Sequence, residues 1–346
     1  MNAKFNLTIA LLIISTMLAS AIGDEFTKQI RKGWTKSSVT ELKVTNKFGE
    51  VKINDMGGDS VTIKVVIKID NASERKANDL MNKIEINIQK TGGMVSAETN
   101  IKEDFRNNES FTIDYLINIP KDKDLNITNK YGNVIVNELD AKGYFEVNYG
   151  SLTAGNINAP SGNPVKIIIS YGQANLATIN NADMEFKYSK LVADEINHFV
   201  LDSKYSTVTL HKTSSLTLDS KYDGINIEEV DNLKSVSKYT NYKIGLLAGS
   251  FDLDTSYGSV RISKVGPKFE NIKIINSYGG INIGLDNLNY KLQADCNYCD
   301  VKYPKDRFKG NKINDNQHFS LDGSVGSGGG TVSITSRYGG VKLTDE

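Results

Sequence analysis

Acidic and basic side chains recur together at a fixed spacing in the middle of the chain. Glu185, Asp202 and Asp219 follow one another at equal intervals, and each stands two positions before a lysine. Carboxylates in a row can act as general acid and base on a glycosidic bond, and their oxygens can bind Ca²⁺. The neighbouring lysines disfavour a preformed metal site, because their positive charge repels a cation. We therefore treat six charged residues as candidates for ligand contact: Lys187, Lys204, Lys221, Lys238, Asp202 and Asp219.

The remaining reactive side chains do not form a catalytic motif. The three histidines lack metal-ligand spacing to one another or to a cysteine, and the two cysteines lie in the segment CNYC. A redox-active CxxC needs a helix N-terminus to lower a thiol pKa, whereas the residues around Cys296 and Cys299 have a strand pattern. The pair is expected to form a local disulfide, as in exported proteins. The sequence predicts no catalytic residue, metal or cofactor.

The charged residues belong to a short repeat that covers most of the chain. Each copy contains one aromatic residue at a fixed position. The four intervals from Tyr171 to Tyr239 are identical in length. Self-similarity at a short fixed period predicts stacked supersecondary units. Twelve copies place the aromatic residue at Phe48, Tyr131, Tyr149, Tyr171, Tyr188, Tyr205, Tyr222, Tyr239, Tyr257, Tyr278, Tyr298 and Tyr338.

Each copy has the pattern of two short strands joined at a corner. Apolar residues alternate before the aromatic residue and again after it, as at Leu216, Leu218, Ile225 and Ile227. A glycine often follows the aromatic residue, where a positive φ or a bulge at the corner costs least. The fold class is therefore all-β: a single-stranded β-solenoid, or β-helix, of about twelve short coils of roughly 17–22 residues. Stacking places the aromatic residues in one column, which predicts a structural ladder.

The two ends of the chain depart from the repeat. Residues 1–21 combine Lys4, an apolar run and a small-residue cleavage pattern, which predicts a signal peptide and export. Residues 22–128 hold the first coil, longer strands and one short helix, which we interpret as a cap over the open end of the solenoid. The repeats fill 129–303. Residues 304–330 are expected to be a flexible excursion and 331–346 the final coil.

Charge and hydropathy restrict the partners. The chain has 41 basic and 41 acidic residues, so no net charge favours a nucleic acid. No segment after residue 21 has the apolar length of a transmembrane helix. The expected partner is a surface polymer, a glycan or a protein, and self-association is a further option.

Several segments together resemble a known family. A first coil, NKFGEVKI, precedes long strands around a short helix, then Ile119-Pro120-Lys121 and LNITNKYGNVIV, and near the end GGG precedes VSITSRYGGVKL. This pattern resembles the bacterial putative-adhesin family of exported β-strand-repeat proteins, whose function is otherwise unknown. The resemblance implies an exported β-solenoid with an adhesive role and no established catalytic residues. Family members often have Asn-Gly or Asp-Gly where this chain has Tyr-Gly, so the tyrosine column is specific to this sequence.

These observations favour a binding protein over an enzyme. A regular solenoid presents evenly spaced groups to a polymeric or cell-surface ligand, and we expect an exported adhesin in the periplasm, at the cell surface or secreted. A structural envelope component is one alternative. A polysaccharide lyase or hydrolase of the β-helix type is the other, with Asp202, Asp219 and Asp254 as its carboxylates. Such short coils leave little room for the cleft that such an enzyme requires.

Overall fold

The computed structural model describes residues 25–55, 58–70, 72–103, 105, 110–160 and 162–345. These residues form β-strands throughout, with one α-helix and one 3-10 turn at Lys36–Ser38. The all-β solenoid predicted from the repeat is confirmed, although it has about nine turns beside an N-terminal strand region rather than twelve. The predicted signal peptide lies outside the described residues. The chain divides into two compact units, Met1–Gly150 and Ser151–Glu346.

Unit 1 combines three aromatic corners with longer strands and the helix. Its described elements are β1 (Phe26–Thr35), β2 (Glu41–Lys47), β3 (Val51–Asn54), β4 (Ser60–Ile69), α1 (Glu74–Met81), β5 (Ile84–Thr91), β6 (Met94–Ile101), β7 (Phe111–Asn118), β8 (Asp124–Lys130), β9 (Val134–Leu139) and β10 (Gly143–Asn148).

The first coil of unit 1, made by β2 and β3, lies between two other layers. On one side it pairs in parallel with β8 and β9, so that Val44 lies beside Ile127 and Val51 beside Val134. On the other side it pairs in parallel with β6 and β7. β4 continues from β7 in antiparallel fashion and pairs with β1, while β5 pairs with β6. The coil that comes first in sequence is therefore internal.

Helix α1 buries one apolar stripe. Ala77, Leu80 and Met81 recur at the spacing that puts side chains on one face of a helix, and all three are buried. They form a cluster with Ile69, and the partly buried ring of Phe111 packs against it. The helix thereby covers apolar surface that the adjoining strands would otherwise expose to water.

Unit 2 consists of stacked coils and a terminal hairpin. Its strands are β11 (Ser151–Ile157), β12 (Val165–Ser170), β13 (Gln173–Lys187), β14 (Lys190–Lys204), β15 (Thr207–Lys221), β16 (Gly224–Lys238), β17 (Asn241–Ser256), β18 (Val260–Val265), β19 (Asn271–Ser277), β20 (Ile281–Gly284), β21 (Tyr290–Asn297), β22 (Val301–Lys302), β23 (Phe308–Asp315), β24 (His318–Val325), β25 (Gly330–Arg337) and β26 (Val341–Thr344).

The central coils of unit 2 are single bent strands that run from one tyrosine corner to the next. β13 to β16 are each 15 residues long and pair in parallel without offset, so that Leu201 lies beside Leu218 and Val208 beside Ile225. All four side chains are buried. Because these four strands have the same length, each of their apolar residues packs on its counterpart in the next coil.

The sequence order suggests that the C-terminal coil is the last one in the stack. In the structure it is not. β25 pairs in parallel with β19 on one side and with β21 on the other, and β26 lies between β20 and β22. The chain end is thus inserted between two coils that precede it in sequence. The repeat permits this insertion because Val332 and Ile334 match the inward positions of both neighbours.

The interpretation of residues 304–330 as an irregular excursion is wrong. β23 and β24 form an antiparallel hairpin, and β24 pairs with the outer edge of β21. Phe319, Leu321 and Val325 are buried, so the segment HFSLDGSV has the alternation of a strand with one inward face. The many glycines and polar residues around it concealed that pattern. Pairing with the hairpin satisfies the backbone groups at the edge of β21.

The corner of each coil is made by the aromatic residue itself. Phe48 and the eleven tyrosines have φ between 51° and 63°, which is the left-handed region that costs a non-glycine residue about 1–2 kcal/mol. The sequence left a positive φ or a bulge open at the following glycine. The positive φ lies on the aromatic residue instead, since Gly258 and Gly339 are outside the left-handed region.

Glycine follows the aromatic residue for a steric reason. A Cβ on Gly339 would overlap the backbone carbonyl oxygen of Gly279 in the neighbouring coil, and one on Gly258 would overlap that of Thr240. Gly340, the next residue, has nothing within 4 Å of such a Cβ. At these two glycines, the neighbouring coils therefore approach too closely to admit a side chain.

This difference gives a stability prediction for two adjacent glycines. We expect Gly339→Ala to lower the free energy of unfolding by about 1–3 kcal/mol, because the backbone must move to admit the methyl group. Gly340→Ala should change it by less than about 0.5 kcal/mol. Urea denaturation of the two variants and the parent protein measures both values. Equal stability of the two variants would contradict the close approach at Gly339.

Candidate functional site

The four candidate lysines form one column on the outside of unit 2. Lys187, Lys204, Lys221 and Lys238 are register partners in β13 to β16, and each directly precedes a tyrosine corner. Adjacent strands lie about 4.8 Å apart. The solenoid therefore converts a wide spacing in sequence into a short and regular spacing on the surface.

An acidic column runs two residues earlier on the same strands. Glu185, Asp202 and Asp219 are register partners, and the next position is Val236, which is 59% exposed. Val236 is on β16, and Asp254 is its register partner on the next strand, β17. Of the three aspartates considered for polysaccharide cleavage, Asp202 and Asp219 lie on adjacent strands, and the strand that carries Val236 separates Asp254 from them.

Ion pairs link the two columns on β14 and β15. Lys204 Nζ lies 3.3 Å from Asp202 Oδ1, and Lys221 Nζ lies 4.0 Å from Asp219 Oδ1. Exposed pairs of this kind stabilise a fold by only about 0–1 kcal/mol each, so their main effect is a fixed pattern of alternating charge. We call these two columns the charged face. It is an open sheet surface, which suits contact with an extended partner better than enclosure of a small substrate.

The tyrosine column is a continuous stack within each unit. In unit 2, neighbouring ring centroids are 4.7–5.0 Å apart and the rings are within 18° of parallel. The order of the rings is Tyr171, Tyr188, Tyr205, Tyr222, Tyr239, Tyr257, Tyr278, Tyr338 and Tyr298. In unit 1, Phe48, Tyr131 and Tyr149 stack at 5.0 and 5.1 Å.

Stacking determines which part of each ring is accessible. The tyrosine side chains are roughly half exposed, but the faces of an inner ring such as Tyr205 are covered by Tyr188 and Tyr222. Only ring edges and hydroxyl groups reach solvent. A sugar that binds by laying its ring on an aromatic face therefore has no access to the inner tyrosines.

Lys238 of the lysine column, and also Arg337, make cation–π contacts with tyrosine rings of the ladder. Lys238 Nζ lies 5.6 Å from the ring centroid of Tyr239 and 5.9 Å from that of Tyr257, and Arg337 lies 5.1 Å from that of Tyr338. Cation–π contacts at exposed sites contribute about 0.5–1 kcal/mol. The charged face and the ladder therefore meet along one edge of unit 2.

Buried polar side chains brace some of the corners from inside, which the sequence did not predict. At Ser220, Asn276 and Ser336, the residue two positions before the aromatic ring hydrogen-bonds to the residue just after the ring. Ser336 Oγ donates to the Gly339 carbonyl at 2.7 Å, and Ser220 Oγ donates to Asp223 Oδ2 at 2.6 Å. The sequence does repeat small polar residues at this position. The alternation of the strand shows only that they point inward, and not that they form hydrogen bonds within the corner.

The two cysteines occupy the same pair of positions as these bracing residues. Cys296 stands two before Tyr298 and Cys299 one after it, and the structure joins them in a disulfide. Cys296 is fully buried. The disulfide is thus a covalent form of the brace that other corners make with hydrogen bonds.

At four successive corners, a buried polar side chain replaces the corner glycine. The backbone N–H of Ser189 donates to Ser206 Oγ at 3.1 Å, and that of Ser206 donates to Asp223 Oδ1 at 2.6 Å. Burial raises the pKa of the Asp223 carboxyl, although hydrogen bonds from Ser220 and from the Ser206 N–H act in the opposite direction. Asp223 is therefore the polar corner residue whose ionisation opposes folding.

Two classes of site are not found in the part of the chain that the structure describes. It contains no group of three or more His, Cys, Asp or Glu residues arranged to hold a metal ion. It also contains no helix of the length and hydropathy needed to cross a membrane.

The ladder predicts a difference between two substitutions of one tyrosine. Tyr205→Ala loses two stacked neighbours and keeps an unfavourable φ, so we expect it to lower the free energy of unfolding by about 1–3 kcal/mol. Tyr205→Gly loses the same stacking but adopts positive φ freely, so its loss should be about 1 kcal/mol smaller. Chemical denaturation distinguishes them. A glycine variant that is less stable than the alanine variant would refute the left-handed corner.

Asp223 predicts a dependence of stability on pH. Its raised pKa means that the folded state holds the proton more tightly than the unfolded state does, so its contribution to stability falls as pH rises above about 3.9. Asp223→Ser, which copies the two preceding corners, should remove this fall. Asp223→Ala should cost about 1–3 kcal/mol at acidic pH, because three donors lose their acceptor, and less as the pH rises and the parent loses stability. Thermal unfolding across acidic to neutral pH tests this, and parallel curves for parent and serine variant would contradict it.

Comparison with known proteins places the chain in a family. Among solved structures, it is similar to a putative adhesin from Parabacteroides distasonis (12% identity, TM-score 0.39, covering 74% of this chain and 97% of that one). A putative adhesin from Parabacteroides merdae has 12% identity and a TM-score of 0.38, covering 74% and 95% of the two chains. A putative lipid binding protein from Parabacteroides distasonis has 14% identity and a TM-score of 0.32, covering 74% and 96%.

No curated protein matches the sequence. The sequence profile of the Toastrack DUF4097 family matches residues 39–344, which is most of the chain and includes the repeat in both units. The protein belongs to the Toastrack DUF4097 family.

Proposed function

We propose that this protein is an exported, non-catalytic binding protein that attaches to a polymeric or cell-surface ligand through the charged face of unit 2. The observation that carries the proposal is the shared register of Lys187, Lys204, Lys221 and Lys238 in four adjacent strands. A polymer with regularly repeated anionic groups can contact several of these lysines at once, and each added contact raises the overall affinity.

Export has two sources of support. The sequence begins with the signal-peptide pattern over residues 1–21, and the only two cysteines of the chain are joined in a disulfide. Disulfides persist in oxidising compartments outside the cytosol. The proposed location is the periplasm, the cell surface or the medium.

The open geometry of the charged face favours binding over cleavage. Asp202 and Asp219 each lie near a lysine on an uncovered sheet surface, whereas a glycosidase encloses its two carboxylates around the sugar. A structural envelope role, in which copies of the protein bind one another, is the second candidate, since it uses the same surface with a different partner.

A four-lysine variant tests the proposal. We expect Lys187→Ser, Lys204→Ser, Lys221→Ser and Lys238→Ser together to lower the affinity for a bound polymer at least about tenfold. Binding of the parent protein should weaken as salt is added, because exposed charges are screened. The measurement is binding of the purified protein to an array of anionic and neutral glycans and matrix proteins, with each positive glycan checked for shortened products.

A second variant controls for charge. Lys190, Lys243, Lys264 and Lys342 are exposed and lie on the strands that follow the tyrosine corners. Their joint replacement by serine removes the same charge and should leave binding unchanged. Equal losses in both variants would argue against the charged face, and product formation would support the polysaccharide-cleaving alternative. Self-association with no array binding would favour the envelope role.

A further inference from the structure

The tyrosine ladder of unit 2 ends at Tyr298, where the ring differs from those inside the stack. Tyr298 stacks on Tyr338 with centroids 4.8 Å apart, and among the described residues no second ring is stacked on its outer face. An inner ring such as Tyr205 has a neighbour on each face. Tyr298 therefore has one face that no other ring of the ladder covers.

A cavity of about 360 Å³ lies beside this ring. The turn between β23 and β24 forms its opposite wall. The Tyr298 N–H donates to the Gln317 carbonyl at 2.6 Å, which fixes the turn to the end of the ladder. The volume is at the lower end of the range for small-molecule sites, so the cavity suits one small ligand or one unit of a polymer.

The side chains that line the cavity are those that bind hydroxyl groups. Beyond Tyr298, the polar lining consists of Asp300, Asn314, Asp315, Asn316, Gln317 and His318. Carboxylates accept hydrogen bonds, while amides and imidazole both donate and accept. A sugar hydroxyl also donates and accepts, whereas a cation such as an ammonium group supplies donors only. The mixed lining therefore favours a neutral polyhydroxyl ligand over a cation.

Two contacts hold the lining in place. His318 Nε2 lies 2.9 Å from Asp295 Oδ2, which orients the imidazole. The Cys296–Cys299 disulfide closes the corner that carries Tyr298. Rigid placement of an aromatic ring and its polar neighbours reduces the entropy that a ligand loses on binding. The corner with the uncovered ring is thus the one that the chain fastens covalently.

We propose that this end of unit 2 is a binding site for a single neutral sugar residue. The sugar lays the C–H groups of one ring face on Tyr298, and its hydroxyls bond to the carboxylates of Asp300 and Asp315 and to the amides of the turn. The site uses none of the lysines of the charged face. The sugar therefore binds whether or not the charged face binds a polymer.

Saturation-transfer NMR with free monosaccharides tests the site. The probes are D-galactose, D-glucose, D-mannose and N-acetyl-D-glucosamine, each added to the purified full-length protein. We expect at least one of them to receive saturation from the protein. Tyr298→Asn should weaken that binding at least about tenfold, because it removes the ring while asparagine still tolerates the left-handed corner.

Matched variants distinguish a sugar-binding role of Tyr298 from a purely structural role at the end of the ladder. Tyr205→Asn removes an inner ring of the same ladder and should leave sugar binding unchanged, as should the four-lysine variant of the charged face. Silence from all four sugars, unchanged binding in Tyr298→Asn, or equal loss in Tyr205→Asn would overturn the proposal. Preferential binding of choline over every sugar would overturn it as well, in favour of a cation site.

Discussion

The structure depends on in-register backbone pairing between neighbouring coils, which have equal length from β13 to β16. At the central corners, the N–H of each tyrosine donates to the carbonyl of the lysine before the next tyrosine, at 3.0 Å in four successive coils. The longer strand β17 keeps its apolar side chains inward through a register shift against β16, because side chains alternate along a strand. The constant interval between tyrosines, the buried apolar columns and the surface columns all follow from this single requirement.

The aromatic corner shows how the chain meets that requirement with ordinary residues. A left-handed tyrosine is unfavourable by itself, yet each ring stacks on the rings of the adjacent coils, and pairs of this kind contribute about 0.5–1.5 kcal/mol. Inside the corner, serine, asparagine, aspartate or a disulfide braces the turn. Burial of Ser220, Asn276 and Ser336 is acceptable because each donates a hydrogen bond within its corner.

The side of the stack and its end are two different kinds of surface. Along β13 to β16, the coils present lysines at the same spacing, which favours multivalent contact with an extended partner. At the end of the stack, the regularity stops: the last ring loses a neighbour, and a hairpin with a polar turn covers the strand edge. A site for one small ligand can form only where the repeat is interrupted in this way.

The amino-acid sequence by itself determined the repeat, the strand character and the columns, because alternation and a short constant period are local properties. It did not reveal that the coil of Tyr298 is the last one in the stack, or that β25 lies between β19 and β21. Similar coils have similar sequences, so their order in the stack cannot be read from the chain. The amino-acid sequence also contained no sign that the aromatic residue takes the positive φ, because glycine is the usual left-handed residue. Only the tertiary structure decided the order of stacking, which ring remains uncovered and where backbones touch, because these depend on contacts between residues far apart in the chain.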